Sequence, residues 1–191
     1  VERHPEVTRQ IVAAGHEAGN HSWDHPHLTT FDQNNRHDTR PEISKSYFQS
    51  QLIRTASKFE EVTGERMAPL WRAPFGEVNS ELMRWAEELG YRHINWTRDY
   101  SRGKTLDSLD WVTDPGDRNY YANGDIVKRL LDFGAGTPSG ASGGIVLMHL
   151  NTKRPPGQSL HDKLQDLIGA WRQQGYQFVK VSRMLAESEK G

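Results

Sequence analysis

Hydrophobic positions along the chain follow two alternating periods. Ile43, Tyr47, Leu52, Ala56, Phe59 and Val62 recur at helical spacing and stop at Gly64, a residue type favoured just past a helix end. Val7, Ile11 and Val12 form a shorter stripe of the same kind that ends at Gly15. Asn79 or Ser80 caps a third helix, carrying Leu82, Met83, Trp85, Ala86 and Leu89 up to Gly90. A fourth helix is predicted over 125–133, and Ser159 caps a fifth with Leu160, Leu164, Leu167, Ile168 and Trp171 on one side. Between them lie strand-like segments at 67–71, 91–96, 145–148 and 178–181, with a short fifth at 20–22. Ile145-Val146-Leu147-Met148 is apolar throughout, the pattern of a strand buried on both faces. Residues 97–123 read as the longest loop and 134–144 as a flexible Gly/Ser/Pro segment.

Alternating helices and strands predict an α/β class built from βαβ units, with a parallel sheet that is open or closed into a barrel. The strands are too few to close one. The pattern therefore predicts one domain over 1–191 that lacks its N-terminal strand or strands; the chain opens at Val1, and its first residues do not read as a signal peptide. A sheet edge left open in this way would pair with a missing N-terminal segment or with another chain. In barrels of this type chemistry sits at the C-terminal ends of strands, so the residues just after each strand are the ones to weigh.

Composition narrows the function classes. Twenty-four basic and 25 acidic residues leave a net charge of −1, which gives no general drive toward nucleic acid or an anionic membrane surface. No run approaches the roughly 20 apolar residues that span a bilayer. The absence of cysteine excludes disulfides, thiolate metal sites and a cysteine nucleophile. Mean hydropathy is low at −0.81, yet six Trp, six Phe and six Tyr supply bulk for a core. Nine histidines are many for this length, and their positions matter.

Four segments could carry chemistry. His21-Ser22-Trp23-Asp24-His25-Pro26-His27 holds three histidines within seven positions. Two His four apart can converge on one ion if the backbone is helical; a solvated loop fits the spacing equally. Trp71-Arg72-Ala73-Pro74-Phe75-Gly76 follows a predicted strand, where Arg72 could orient a carboxylate and backbone N–H groups beyond the stiff Pro74 could face an oxyanion. An ordinary strand-to-helix turn with a surface Arg has the same sequence. Asp107-Ser108-Leu109-Asp110-Trp111 pairs acids with an aromatic, as sugar-binding loops do; a solvated acidic loop with its Trp in the core is the plain alternative. His149 ends the most apolar strand, suited to acid–base work or to a structural role.

The order HSxxH, RxPF, DxxDW, LxH resembles the polysaccharide deacetylase family, the NodB-type carbohydrate esterases, over nearly the whole chain. The resemblance implies a distorted (β/α) barrel and a metal-dependent hydrolase that removes acetyl groups from N-acetylated glycans. It implies that His21 and His25 hold a divalent metal, most plausibly Zn²⁺, and that Arg72 supports the catalytic aspartate. Pro74 and Phe75 match the groove wall, with the Phe75 N–H as oxyanion donor. Asp110 matches the acid that orients the catalytic histidine, Trp111 an aromatic wall, Leu147 the acetyl-methyl pocket, and His149 the acid that protonates the leaving amine. The resemblance also implies an extracellular or cell-envelope setting. One element departs from the family: its first motif, Thr-Phe-Asp-Asp on the first strand, supplies the base and third metal ligand and does not precede His21. Thr30-Phe31-Asp32-Gln33 looks similar but follows the histidines with no apolar strand before it, and Asp24 is a less remote substitute. A catalytically silent carbohydrate- or metal-binding module, or an amide hydrolase acting on a small molecule, remain the rival readings.

Overall fold

A computed structural model describes residues 1–150 and 152–189. Along the chain run α1 (Pro5–Ala13), α2 (Phe31–Asn34), α3 (Lys45–Thr63), β1 (Leu70–Trp71), α4 (Ser80–Glu87), β2 (Arg92–His93), β3 (Arg98–Asp99), β4 (Lys104–Thr105), α5 (Asn123–Leu131), α6 (Leu164–Gln173) and α7 (Val181–Ser188). They gather into two compact units, one of residues 1–95 with 180–191 and one of residues 96–179. None of the described helices is long and apolar enough to cross a membrane.

In the first unit α3 ends at Gly64, φ 74°, where the pattern places its end, and Ser44, which the pattern does not single out, opens it by accepting from the Tyr47 N–H at 3.1 Å. Asn79 accepts from the Leu82 N–H at 2.9 Å and opens α4, while its amide group donates to the His37 carbonyl at 2.7 Å. Such a cap contributes about 1 kcal/mol, and here it also ties the 37–39 loop to the helix. Leu28, Phe48, Leu52, Trp71, Leu82 and Ala86 form the core between these helices and β1, each large apolar side chain adding about 1.5–3 kcal/mol by burial. β1 pairs in parallel with β2 on one side and, through a single bridge from Trp71, with Asn20 on the other. The segment expected as a strand at 20–22 is thus one rung, and Gly19 is small for a reason: a Cβ there would stand 3.2 Å from the Leu70 carbonyl oxygen.

The second unit packs Leu106, Ile126, Leu130, Phe133, Leu160, Leu167 and Trp171 between α5, α6 and the loop before them. Ser159 forms a reciprocal capping box with Asp162 and starts a 3-10 turn, Leu160–Lys163, that leads into α6. Two strand expectations are corrected here. Residues 145–148 make one parallel bridge, Asp107 to Leu147, and only Leu147 is buried. The segment's backbone bonds run from Leu147 to Leu106 and Ser108 and from Ile145 to Thr97, and the neighbours of Leu147 are only part-covered. Residues 178–181 form no strand: Phe178 and Val179 are exposed, and α7 begins at Val181. Phe178 packs its ring toward Trp171 at 6.0 Å, which satisfies an apolar side chain without any ladder. The long loop expected over 97–123 contains the antiparallel pair β3–β4.

Candidate functional site

The histidine loop of the first unit is shaped by two buried amides. Asn20 accepts from the Ser22 N–H at 3.0 Å and donates to the Leu52 carbonyl at 2.9 Å. Gln51, on α3, accepts from the backbone N–H groups of Trp23 at 3.1 Å and Asp24 at 2.8 Å. Ser22 and His25 both take left-handed backbone conformations, with φ of 65° and 54°. No helix spans the two histidines, so they converge through these two turns, not through the helical spacing that the sequence invites. The rings of His21 and His25 meet edge-on, centroids 4.9 Å apart at 79°.

The chemistry of this pair suits a metal. The His21 Nδ1 lies 2.8 Å from the Arg72 carbonyl oxygen. A carbonyl only accepts, so Nδ1 carries the hydrogen; in the neutral ring this is the tautomer with its lone pair on Nε2, the one a ligating histidine needs. Of the sequence-level substitutes for a third ligand, Asp24 accepts from the Gln51 amide at 3.0 Å, and Asp32 is gripped by Arg40 at 2.6 and 2.7 Å. That guanidinium holds the Asp32 carboxyl below its usual range, mainly through the hydrogen bond and against the desolvation that pushes it up. Among the described residues, His27, Asp32 and Glu77 gather donor atoms within 4.8 Å of one another. Their mutual and Arg40 contacts satisfy them as protein groups.

Arg72 leaves β1 and leads into the turn Pro74–Gly76, with Pro74 buried and Phe75 about half exposed. Phe75 is left-handed, φ 57° and ψ 4°, a conformation that costs a non-glycine residue roughly 1–2 kcal/mol. Its ring is gripped by histidines, edge-on to His25 at 4.6 Å and stacked on His27 at 3.9 Å and 5°. His93 on β2 accepts the Ala73 N–H at 3.4 Å. Burial, with the Arg72 charge as the smaller cause, pushes that imidazole down to about 4.

In the second unit Asp110 is fully buried and faces His149. Its carboxylate accepts from the His149 ring at Nδ1 and from the His149 backbone N–H, both at 2.8 Å. Burial pushes the Asp110 carboxyl up, but these hydrogen bonds, the histidine charge and the Ser108 hydroxyl outweigh it and leave the group below its usual range. Neighbouring Asp107 is pushed up by burial, against a hydrogen bond from the Leu109 N–H. The loop between them turns through Leu109 at φ 56°. Arg154, 6% exposed, holds that loop by donating to the carbonyls of Asp110 at 2.8 Å, Val112 at 2.7 Å, Leu109 at 3.3 Å and Tyr121 at 2.7 Å. Trp111 is about half exposed and Leu147 is buried. The structure thus assembles His21, His25, Arg72 and Phe75 in one unit, and Asp110 and His149 in the other.

Sequence reasoning missed four residues of these arrangements: His27, Glu77, His93 and Arg154. His27 sits inside the histidine-rich segment and was open to view, but its partner Glu77 lies 50 residues on. Nothing in the pattern singles out the other two.

The polysaccharide deacetylase family profile matches residues 1–94. A peptidoglycan-N-acetylglucosamine deacetylase of Listeria monocytogenes, PgdA, is 29% identical over 185 residues, which is 97% of this chain and 31% of that protein. Among solved structures, the peptidoglycan deacetylase PdaC from Bacillus subtilis shares 26% identity with a TM-score of 0.69, covering 100% of this chain and 73% of that one. A protein from Bacillus anthracis described as a CE4 family pseudoenzyme gives a TM-score of 0.69 at 23% identity, over 97% of this chain and 52% of that one. The chain spans only about a third to a little over half the length of the first curated relatives it matches. The ordered motifs and these relatives agree in likening the chain to the polysaccharide deacetylase family, whose profile its residues 1–94 match.

Proposed function

We propose that this chain carries the chemistry of a metal-dependent hydrolase that removes N-acetyl groups from an N-acetylglucosamine-containing polysaccharide, in a secreted or cell-envelope setting. The observation that carries the reading is the Asp110–His149 pair. A buried carboxylate fixes the ring hydrogen on Nδ1, so Nε2 is the atom that would hand a proton to the departing sugar nitrogen. Asp110 can also balance the charge that the ring acquires when it carries a second proton.

His21 through Nε2, together with His25, would hold the divalent ion, with Zn²⁺ the best match to imidazole donors. Such an ion, when bound, polarises an acetamide carbonyl and acidifies water toward a pKa of ~7. The Phe75 N–H would hold the developing oxyanion, and Pro74 and Trp111 would shape the sugar groove, the Trp111 face stacking on a pyranose. Leu147 would line the acetyl-methyl pocket. The base and a third ligand would come from the family's first-strand Asp-Asp motif, which is not among residues 1–191 and which would also complete a distorted (β/α) barrel. Peptidoglycan fits the relatives' names best, since PgdA and PdaC are both peptidoglycan deacetylases.

A second reading, a silent glycan- or metal-binding module, is favoured by the engagement of Asp24 with Gln51 and of Asp32 with Arg40. Zn²⁺ titration and acetate release from N-acetylglucosamine oligomers separate the two. The comparison uses the 191-residue chain, the same chain with any coding sequence upstream of Val1, and His21→Ala in both. We expect Zn²⁺ binding to weaken at least tenfold in His21→Ala, since one of few protein ligands is gone, and acetate release to vanish with it. Zn²⁺ binding without acetate release in every form would leave the silent module.

A further inference from the structure

We infer that His27 and Glu77 form a positioning pair that holds the Phe75 turn in its left-handed conformation, through the stack of the His27 ring on the Phe75 ring. This rests on the deacetylase reading only for what the turn does; the structural claim stands on contacts of its own. Glu77 is buried, 3% exposed, and a buried carboxylate must be hydrogen-bonded. Its Oε1 accepts from His27 Nδ1 at 2.7 Å, and its Oε2 is approached by the Thr29 N–H at 3.3 Å and the Thr29 hydroxyl at 3.4 Å. The first bond sets the plane of the imidazole. That plane lies 3.9 Å from the Phe75 ring and within 5° of parallel.

The pair closes a small circuit. Glu77 sits two residues after Phe75, and its own N–H donates to the Pro74 carbonyl at 3.0 Å. The turn therefore carries, on its exit, the carboxylate that orients the ring clamping its middle. Phe75 and Gly76 adopt positive φ in succession, 57° and 72°. A free peptide with Phe at the first of these positions would spend little time there. His25 touches the same phenyl ring edge-on, so the clamp also ties the histidine loop to the turn. In the proposed reaction the Phe75 N–H meets charge that develops only in the transition state. A donor displaced by a fraction of an ångström then loses rate while substrate affinity is kept.

The test uses backbone amide NMR spectra of the full chain and, in whichever form releases acetate, separate values of kcat and KM. His27→Ala should move or broaden the Phe75 and Gly76 amide resonances. It should lower kcat about tenfold with KM within about twofold, the pattern of a displaced transition-state donor. Glu77→Ala should behave alike, whereas Glu77→Gln, whose amide oxygen accepts the same hydrogen, should recover most of the loss. His37→Ala, which removes a stack on Phe31 at 4.6 Å elsewhere in the unit, serves as the control for general loss of a surface ring. The proposal is overturned if the Phe75 and Gly76 amides stay in place in His27→Ala, or if His37→Ala lowers kcat equally. It is also overturned if KM rises in His27→Ala while kcat holds. Should no form release acetate, the deacetylase reading falls, and the amide resonances alone still decide whether the pair holds the turn.

Discussion

Two histidine sites in one chain are organised in opposite ways. In the first unit the Nδ1 of His21 is met by the Arg72 backbone carbonyl, and the loop around it is held by neutral amides from Asn20 and Gln51. In the second unit the Nδ1 of His149 is met by a buried carboxylate, and the loop around it is held by a buried guanidinium. In both arrangements Nδ1 meets an acceptor, the Arg72 carbonyl for His21 and the Asp110 carboxylate for His149. They differ in charge. A carbonyl partner orients a neutral imidazole, as a metal ligand requires, whereas a carboxylate partner also steadies the cation that a proton donor passes through. In the proposed reaction it is the partner atom at Nδ1, not the residue type, that would separate ligand from acid.

The largest effect should come from erasing that difference. In Asp110→Asn the side chain keeps its size and an oxygen that can accept from Nδ1, but it has no charge to offer. Acetate release in the active form should fall about 10²–10³-fold, while Zn²⁺ binding, which we propose for the other unit's histidines, should hold. An unchanged rate would remove His149 from the proposed chemistry. A parallel loss of Zn²⁺ binding would mean that the two sites are not separable in this way.

A somewhat smaller effect, on stability, tests the anchors. Arg154 donates to four backbone carbonyls and lies over the Tyr120 ring at 4.6 Å. Its charge is spread over dipoles, with no carboxylate among these contacts. Arg154→Met keeps much of the volume and strands the buried carbonyls, each left unmade at a cost of about 1 kcal/mol or more. Urea unfolding should show a loss of about 3–4 kcal/mol. A loss below about 1 kcal/mol would show that water reaches those carbonyls and that the loop holds its shape without the guanidinium.

What could be read from sequence divides along the same line. Helices were legible because their signals are local: Asn79 and Ser159 cap where the pattern places them, and Gly64 ends α3. Strands were not, because a strand exists only through its partner. The apolar run at 145–148 and the Phe178–Val181 segment carry good strand composition, yet one finds a single rung and the other none. In the site, the ordered motifs single out Asp110 and His149, and the structure brings their side chains to 2.8 Å. His21 and His25 were named with a helical rationale that the left-handed turns at Ser22 and His25 replace. His27 with Glu77, and Arg154 with its carbonyls, depend on contacts across 50 and up to 45 positions. No local pattern encodes such contacts.

The smallest effect belongs to His93, and it sharpens the contrast by showing a histidine whose task is to stay neutral. Its imidazole accepts the Ala73 N–H, which requires a lone pair on that nitrogen. Burial, aided by the Arg72 charge, moves its titration from 6.5 to about 4. The unfolded chain takes up this proton near pH 6.5, while the folded chain resists until about pH 4. Between these values the unfolded state binds more protons, so stability falls as pH falls and is restored above the unfolded value. The whole of this contribution is on the order of 3 kcal/mol, and only its first part is lost by pH 5.5. His93→Gln keeps an acceptor for the Ala73 N–H and removes the titration. The difference in unfolding free energy between wild type and His93→Gln should therefore narrow or change sign as pH drops from 7 to 4.5. A difference that stays constant over that range would mean that His93 titrates alike in both states, and that the turn after β1 does not depend on its lone pair.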